Sequence, residues 1–115
     1  MDKIAFYQVA ISELIAEYKH YLGGGRMNKS DDLLKIVIDK EHNQYQLLKS
    51  GWNNGKFSFH VLFHFEIYND KIWLQQNNTE FYVADELIEK GIAKQDIVLG
   101  FIEPQARQYS GFAVA

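Results

Sequence analysis

Residues 57–68 alternate between apolar and mixed side chains without interruption. The apolar set is Phe57, Phe59, Val61, Phe63, Phe65 and Ile67. Because successive strand side chains point to opposite faces of a sheet, this pattern predicts a strand with one strongly apolar face. Turn signals flank it, Asn54-Gly55 before the strand and Asn69-Asp70 after it. The pattern therefore predicts a β-meander with a face lined by phenylalanine.

Three further strands are predicted, at residues 33–39, 45–52 and 72–77. If both turn signals form two-residue turns, they fix which positions lie opposite one another. The predicted pairs are Trp52 with Phe57, Leu48 with Val61, Ile67 with Ile72, and Phe65 with Leu74. All eight residues are apolar, so both turns predict the same apolar face, with Phe59 and Phe63 on it.

Two loop lengths fit the first hairpin, and the choice between them decides which face of the sheet Ile36 occupies. A three-residue loop, Glu41 to Asn43, pairs Ile36 with Leu48 and keeps Ile36 on the apolar face. A two-residue loop would send it to the other face. We expect the three-residue loop, with Asn43 at positive φ.

Helices are predicted on both sides of the meander in sequence. Residues 2–22 carry apolar side chains at three- and four-residue steps, with Asp2 as N-cap and Gly23 to Gly25 as the stop. Tyr82–Lys90 and Lys94–Leu99 are predicted as short helices. The expected fold is a single α+β domain over residues 1–115. It has an N-terminal helix, a four-stranded antiparallel meander with one face covered by helices, two short C-terminal helices and a docked tail.

The face of the sheet opposite the phenylalanines, together with the tail, is the candidate functional surface. Apolar residues this close to the chain end predict that residues 109–114 dock on their own sheet edge or across a subunit boundary. The face mixes aromatic, aliphatic and polar side chains, which suits a protein interface. Cover by the tail or by the loop at 23–32 is the alternative, and both stay open. The candidate interface residues are Tyr45, Leu47, His60, Leu62, His64, Glu66, Trp73, Tyr109, Phe112 and Val114.

Composition and charge narrow the function classes. The net charge is −3, and Arg26 and Arg107 are the only arginines, which disfavours direct binding to nucleic acid. No cysteine is present, so disulfides, thiol catalysis and cysteine-ligated zinc are excluded, and a reducing cytoplasm is favoured. No apolar run has the length of a signal-peptide core or a membrane span. We therefore expect a cytoplasmic protein without membrane contact.

Two histidines on the central strand raise the question of a metal site. His60 and His64 lie four residues apart, about 13 Å along a strand, too far to share one ion. His64 and Glu66 are neighbours on one face, at roughly 7 Å, and do not form a convincing acid–base pair. No nucleophile elbow, phosphate loop or zinc spacing is present. The sequence therefore predicts no catalytic, cofactor or metal residues.

From Gln44 onward the chain resembles the XisI family, the fdxN element excision controlling factors. The similar segments are Tyr45 to Leu48, Gly51-Trp52, Asp70 to Gln75, Asn78 to Glu80, Ala84 to Leu87, Gly91-Ile92, Asp96 to Phe101 and Gly111 to Ala115. Ala93, Phe81-Tyr82 and residues 23–32 depart from the family pattern. The resemblance implies a cyanobacterial regulatory accessory that acts with XisH, an endonuclease-like companion, in excision of a DNA element by a separate recombinase. It implies no catalytic residues.

Two functional hypotheses follow. The first is a non-enzymatic accessory that contacts an XisH-like protein through the sheet face, the tail or both, with a homodimer as a further partner arrangement. The alternative is a direct DNA-binding protein or a small nuclease-type enzyme of the excision machinery. Acidic charge and the lack of a catalytic constellation favour the first. The character of the open sheet face distinguishes the two hypotheses. An uncharged apolar face indicates contact with a protein, and a polar cleft indicates an enzymatic site.

Overall fold

A computed structural model describes residues 2–23 and 33–115 of the chain. The predicted loop at 23–32 lies almost entirely outside the described residues. The helices are Lys3–Leu22 (α1) and Val83–Glu89 (α2). The strands are Leu34–Asp39 (β1), Gln44–Asn53 (β2), Lys56–Tyr68 (β3), Lys71–Asn77 (β4) and Ile97–Leu99 (β5), with 3₁₀ turns at Lys94–Asp96 and Pro104–Tyr109. In the described chain, neither helix has the length and apolar character needed to span a membrane.

Helix α1 covers one face of the sheet, as its apolar stripe predicts. Its first turn is capped by Asp2, whose carboxylate accepts a hydrogen bond from the Ala5 backbone N–H at 2.8 Å. Its buried side is Tyr7, Ala10, Ile11, Leu14, Ile15 and Tyr18. The Tyr7 hydroxyl donates to Asp96, and the Tyr18 hydroxyl donates to Glu86. The two tyrosines therefore tie the helix to the C-terminal third of the chain.

The predicted meander is confirmed, and its two tight turns have the expected geometry. Strands β1 to β4 are consecutive and antiparallel, and β5 adds to β4 in parallel. Asn54 and Gly55 have φ of 52° and 77°, and Asn69 and Asp70 have φ of 51° and 58°. Positive φ at both central residues is the type I′ pattern that matches strand twist. The predicted pairs Trp52–Phe57, Leu48–Val61, Phe65–Leu74 and Ile67–Ile72 are all confirmed.

A β-bulge in β3 reverses the alternation predicted for that strand. Leu48 lies opposite Val61, but Leu47 lies opposite Phe63, which leaves Leu62 as the extra residue. Asn78 stabilises the bulge with two hydrogen bonds. Its backbone N–H donates to Leu62 O at 2.8 Å. Its side-chain amide donates to Val61 O, also at 2.8 Å. One extra residue shifts a period of two by half a cycle, so the two halves of β3 present their phenylalanines to opposite faces.

The predicted phenylalanine face is therefore correct for one half of β3 and wrong for the other. Phe63 and Phe65 are fully buried against α1, whereas Phe59 lies on the exposed face. Trp52 and Phe57 pair as predicted, but they too are exposed.

The same shift corrects the predicted placement of Tyr45 and Leu47. They are paired with Phe65 and Phe63 and are fully buried in the core. Neither can be a surface contact.

The first hairpin has a four-residue loop, Lys40 to Asn43, closed by the pair of Asp39 with Gln44. Ile36 accordingly lies opposite Leu47, so the predicted pair with Leu48 is wrong by one residue. Because Leu47 is itself a core residue, Ile36 still faces the core side. Asn43 has φ of 55°, which confirms the positive value predicted for it.

The C-terminal region agrees with the prediction at α2 and differs after it. Gly91 has φ of 101°, and the N–H of Ile92 donates to Leu87 O at 3.1 Å, which is the predicted Schellman ending. The predicted helix Lys94–Leu99 is wrong beyond Asp96. Ile97 and Val98 are β-branched and fully buried beside β4, and this packing favours a strand over a helix.

The tail docks on the edge of its own sheet. Ala113 forms a parallel bridge with Val98, and its N–H donates to Ile97 O at 2.9 Å. Phe112 packs at the margin of the core. This confirms the predicted docked tail in its intramolecular form.

The bulge generates a paired prediction for two phenylalanines of one strand. Phe63→Ala should lower the free energy of unfolding by about 3–5 kcal/mol, because it removes a fully buried ring. Phe59→Ala should change it by less than about 0.5 kcal/mol, because that ring is already exposed. Urea denaturation of both variants measures the difference. Equal losses would mean that β3 alternates without a bulge.

Candidate protein-interaction surface

The sheet has an open face, defined as the face turned away from α1. Alternation along the observed register assigns its residues. Those in the middle of the sheet are, from one end to the other, Trp52 and Phe57, Ser50 and Phe59, Leu48 and Val61, Gln46 and His64, Gln44 and Glu66, then Trp73 and Tyr68. The face therefore runs from an aromatic end, through a polar middle, to the end where the tail docks.

Three rings form what we call the exposed aromatic patch: Trp52, Phe57 and Phe59. Their exposed fractions are 70%, 56% and 67%, and the ring centroids of Trp52 and Phe57 are 5.4 Å apart. Single exposed apolar residues are ordinary, but adjacent large exposed rings on one face of a sheet are not. Aromatic residues of this kind are enriched at the centre of protein interfaces.

The middle of the open face is a closed hydrogen-bond network around His64. The Nδ1 atom of His64 lies 2.9 Å from Gln46 Oε1, and Nε2 lies 2.7 Å from Gln44 Oε1. Burial lowers the pKa of His64, and nearby Glu66 opposes that shift. Both partner atoms are carbonyl oxygens, which only accept, so the neutral ring, with its single N–H, donates to one glutamine and its second nitrogen only lies beside the other. Glutamine side chains therefore lie against both ring nitrogens.

Glu66 and Trp73 are likewise engaged within the chain. Gln75 donates to Glu66 Oε1 at 3.0 Å. The indole N–H of Trp73 donates to Tyr68 O at 3.2 Å, and the guanidinium of Arg107 lies 5.2 Å from the Trp73 ring centroid. Arg107 also donates to Ile102 O and Gly100 O, at 2.9 and 3.2 Å. The tail thus covers the Trp73 end of the open face and leaves the aromatic patch uncovered.

His60 and Leu62 do not lie on the open face, so their predicted placement there is wrong. His60 is paired with Lys49, and both line a shallow pocket of about 210 Å³ on the α1 side, together with Leu22, Leu34 and Leu62. The bulge is the cause, because it turns the residues before Phe63 to the side opposite the one that strict alternation gives. His60 and His64 consequently face opposite sides of the sheet.

The tail residues of the predicted interface divide by burial. Phe112 is half-buried, with the ammonium of Lys94 5.2 Å from its ring centroid. Tyr109 and Val114 are exposed. Docking therefore depends on Phe112 and Ala113, while the other two point into solvent.

A groove between α1 and the segment before α2 is the other concave feature of note. It is lined by the rings of Tyr18, Tyr21 and Phe81 and by the carboxylates of Glu17 and Glu86, around a cavity of about 290 Å³. Burial raises the pKa of Tyr18, and the hydrogen bond to Glu86 raises it further. Tyr18 therefore stays protonated at neutral pH and acts as a structural donor.

In the part of the chain that the structure describes, no three His, Asp or Glu side chains come close enough to hold a metal ion. The buried phenol of Tyr45 lines neither this groove nor the pocket beside His60. Burial raises its pKa, with a smaller opposing effect from nearby Gln8.

The sequence missed the exposed aromatic patch because its three rings were assigned to the core. The alternation of residues 57–68 is unbroken, so it contains no sign of an extra residue. Asn78, which stabilises the bulge, lies more than ten positions after Leu62 in the sequence. The sequence alone does not distinguish it from an ordinary polar residue at the end of a strand. Only the three-dimensional pairing reveals the patch.

The network around His64 predicts a pH effect on stability. A folded-state pKa below that of the unfolded chain means that the unfolded state binds more protons as the pH falls. Stability from the neutral ring is complete above about pH 6.5 and is lost as the pH drops through the lowered folded-state pKa. His64→Gln should therefore lose less stability than the wild type between about pH 7.5 and pH 5.

The matched control is His20→Gln, at an exposed position on α1. Urea denaturation at both pH values should give the His20→Gln variant the same pH dependence as the wild type. An unchanged pH dependence in His64→Gln would contradict burial of a neutral ring.

Comparisons with known proteins agree with this architecture. Residues 1–114 match the family model described as XisI protein. No curated protein is similar enough in sequence to count as a relative. Two solved structures from Anabaena variabilis are similar over nearly the whole chain. One, the fdxN element excision controlling factor XisI, is 32% identical, with a TM-score of 0.81 and coverage of 99% of this chain and 100% of that chain. The other, a XisI-like protein, is 33% identical, with a TM-score of 0.68 and coverage of 88% and 99%.

Proposed function

Because this chain belongs to the XisI family, we propose that it is a non-enzymatic accessory protein that controls DNA element excision by contacting a protein partner. One similar protein of known structure carries the description fdxN element excision controlling factor. A controlling factor acts on other components of a reaction. The proposal transfers that role to this chain and assigns the contact to the open face of the sheet.

The single observation that carries the proposal is the exposed aromatic patch. Trp52, Phe57 and Phe59 together expose a large apolar area on one face of a sheet whose other face is already covered by α1. Burying such rings against a partner releases water and stabilises the complex, and they add specific ring contacts.

The partner we propose is an XisH-like protein, the companion that the family resemblance implies. Duplex DNA fits the patch poorly, because recognition of phosphates needs clustered cations. Lys35 lies on β1, the strand next to β2, and Lys49 lies on β2 but on the α1 side of the sheet, and the chain as a whole has a net charge of −3. The alternative functions, direct DNA binding or a small nuclease, are tested as outcomes of the same experiment.

The experiment measures binding of the purified chain to the XisH-like protein encoded in the same genome. Phe59→Ser should weaken the complex by about tenfold or more, the loss expected when one interface aromatic is removed. The matched control is Tyr82→Ser, a ring that is 79% exposed but lies outside the patch. That variant should bind like the wild type. Calorimetric titration gives both affinities.

Two results would overturn the proposal. One is an XisH-like protein that does not bind the wild type, or that binds the Trp52→Ser and Phe59→Ser variants without loss. The other is sub-micromolar binding of the chain alone to random duplex DNA at about 150 mM salt, abolished by replacing a few lysines. The second result would promote the DNA-binding alternative.

A further inference from the structure

The two edges of the sheet differ in whether another described segment pairs with the edge strand. At one edge, Ala113 of the tail pairs with Val98 of β5. At the other, β1 is the terminal strand, and within residues 2–23 and 33–115 no segment pairs with its outer side. An unpaired strand presents a row of backbone donors and acceptors to solvent, which makes it a template for another strand.

The side chains of β1 favour such pairing. Ile36, Val37 and Ile38 are consecutive β-branched residues with exposed fractions of 38%, 45% and 37%. Natural edge strands are usually protected by proline, a bulge or a charge in the middle of the strand. β1 contains no proline, pairs with β2 in unbroken register, and carries charge only at Lys35 and Asp39.

The positions of those two charges select the partner. Lys35 and Asp39 are placed symmetrically about Val37 and alternate to the same face as it. In an antiparallel pair, residues that lie opposite one another point to the same face of the sheet. Two residues of one strand that share a face are an even number of positions apart. A two-fold axis normal to the sheet must therefore pass through a residue that pairs with its own copy. An axis at Val37 sets Lys35 of each copy opposite Asp39 of the other copy, so two such pairs form.

Shifting that axis by one residue removes the match. With the axis at Ile36, Lys35 lies opposite Val37 of the second copy. With the axis at Ile38, Asp39 lies opposite Val37, and Lys35 lies opposite Glu41 in the loop. Only the Val37 register pairs both charges of the strand and also sets Ile36 opposite Ile38 on the other face. Opposite charges and β-branched pairs across strands are both stabilising.

We propose that the chain forms a two-fold homodimer in which β1 pairs antiparallel with β1 of a second copy, centred on Val37. The two sheets then form one continuous sheet of ten strands, with both open faces on the same side. This interface is separate from the exposed aromatic patch, so the proposal is independent of the XisH-like partner.

The two charged side chains already have contacts within the chain, and these are compatible with the pairing. The ammonium of Lys35 donates to Ser50 O at 2.8 Å and, at the long distance of 3.5 Å, to Leu33 O. The carboxylate of Asp39 lies 2.7 Å from the His42 ring nitrogen. Pairing exchanges the long contact of Lys35 with Leu33 for the carboxylate of the second copy, and a carboxylate has about four acceptor sites, so Asp39 can keep His42. Because the paired segment is short, the interface is small and the dimer should dissociate on dilution.

The test is sedimentation equilibrium of the full chain over a range of concentrations. Lys35→Asp and Asp39→Lys each place like charges opposite one another in the dimer, and each should raise the dissociation constant about tenfold or more. The double variant carrying both changes exchanges the charges and restores the pairing, so its dissociation constant should return to within about threefold of the wild type. Urea denaturation and circular dichroism confirm that each variant is folded.

Amide hydrogen exchange gives a second measurement that needs no variant. The outward amides of β1 should exchange more slowly at high protein concentration than at low, while those of α1 should not change. A wild type that stays monomeric at millimolar concentration would overturn the proposal. A dimer that the exchanged-charge variant does not restore, or one that Trp52→Ser dissociates while the charge variants do not, would also overturn it.

Discussion

One unpaired residue in β3 determines how the rest of the structure is arranged. Leu62 is inserted between the pairs Leu48–Val61 and Leu47–Phe63, and Asn78 holds the carbonyls of Val61 and Leu62 with its backbone and side-chain amides. A sheet has a period of two, so a single insertion sends the two halves of one apolar stripe to opposite faces. The core receives Phe63 and Phe65, and the solvent face receives Phe57 and Phe59.

This division links folding to the proposed function. Had the alternation continued, Phe57 and Phe59 would have pointed toward α1, and the open face would have carried His60 in their place. The bulge instead places a cluster of rings on the face that neither α1 nor α2 covers, while the tail covers the other end through Arg107 and Trp73. The surface with most exposed aromatic area is therefore also the part of the face that stays uncovered by the described chain.

The sequence predicts the parts of this fold whose signals are local. Asn54-Gly55 and Asn69-Asp70 require positive φ, so they define two turns and four cross-strand pairs correctly. The helix stripe, the Gly91 ending and the docked tail follow from equally local chemistry. The bulge, the strand at Ile97 and the four-residue first loop depend on contacts distant in sequence, so no local pattern shows them. As a result, four candidate interface residues were placed on the wrong face, namely Tyr45, Leu47, His60 and Leu62.

The most direct test of the bulge uses fluorine NMR of the chain labelled with 4-fluorophenylalanine, with resonances assigned by single substitutions. A soluble paramagnetic agent broadens the signals of rings that it can reach. The structure predicts strong broadening at Phe57 and Phe59 and little at Phe63 and Phe65, which are fully buried. Equal protection of all four rings would mean that β3 keeps one uninterrupted apolar face, and would contradict both the bulge and the exposed aromatic patch.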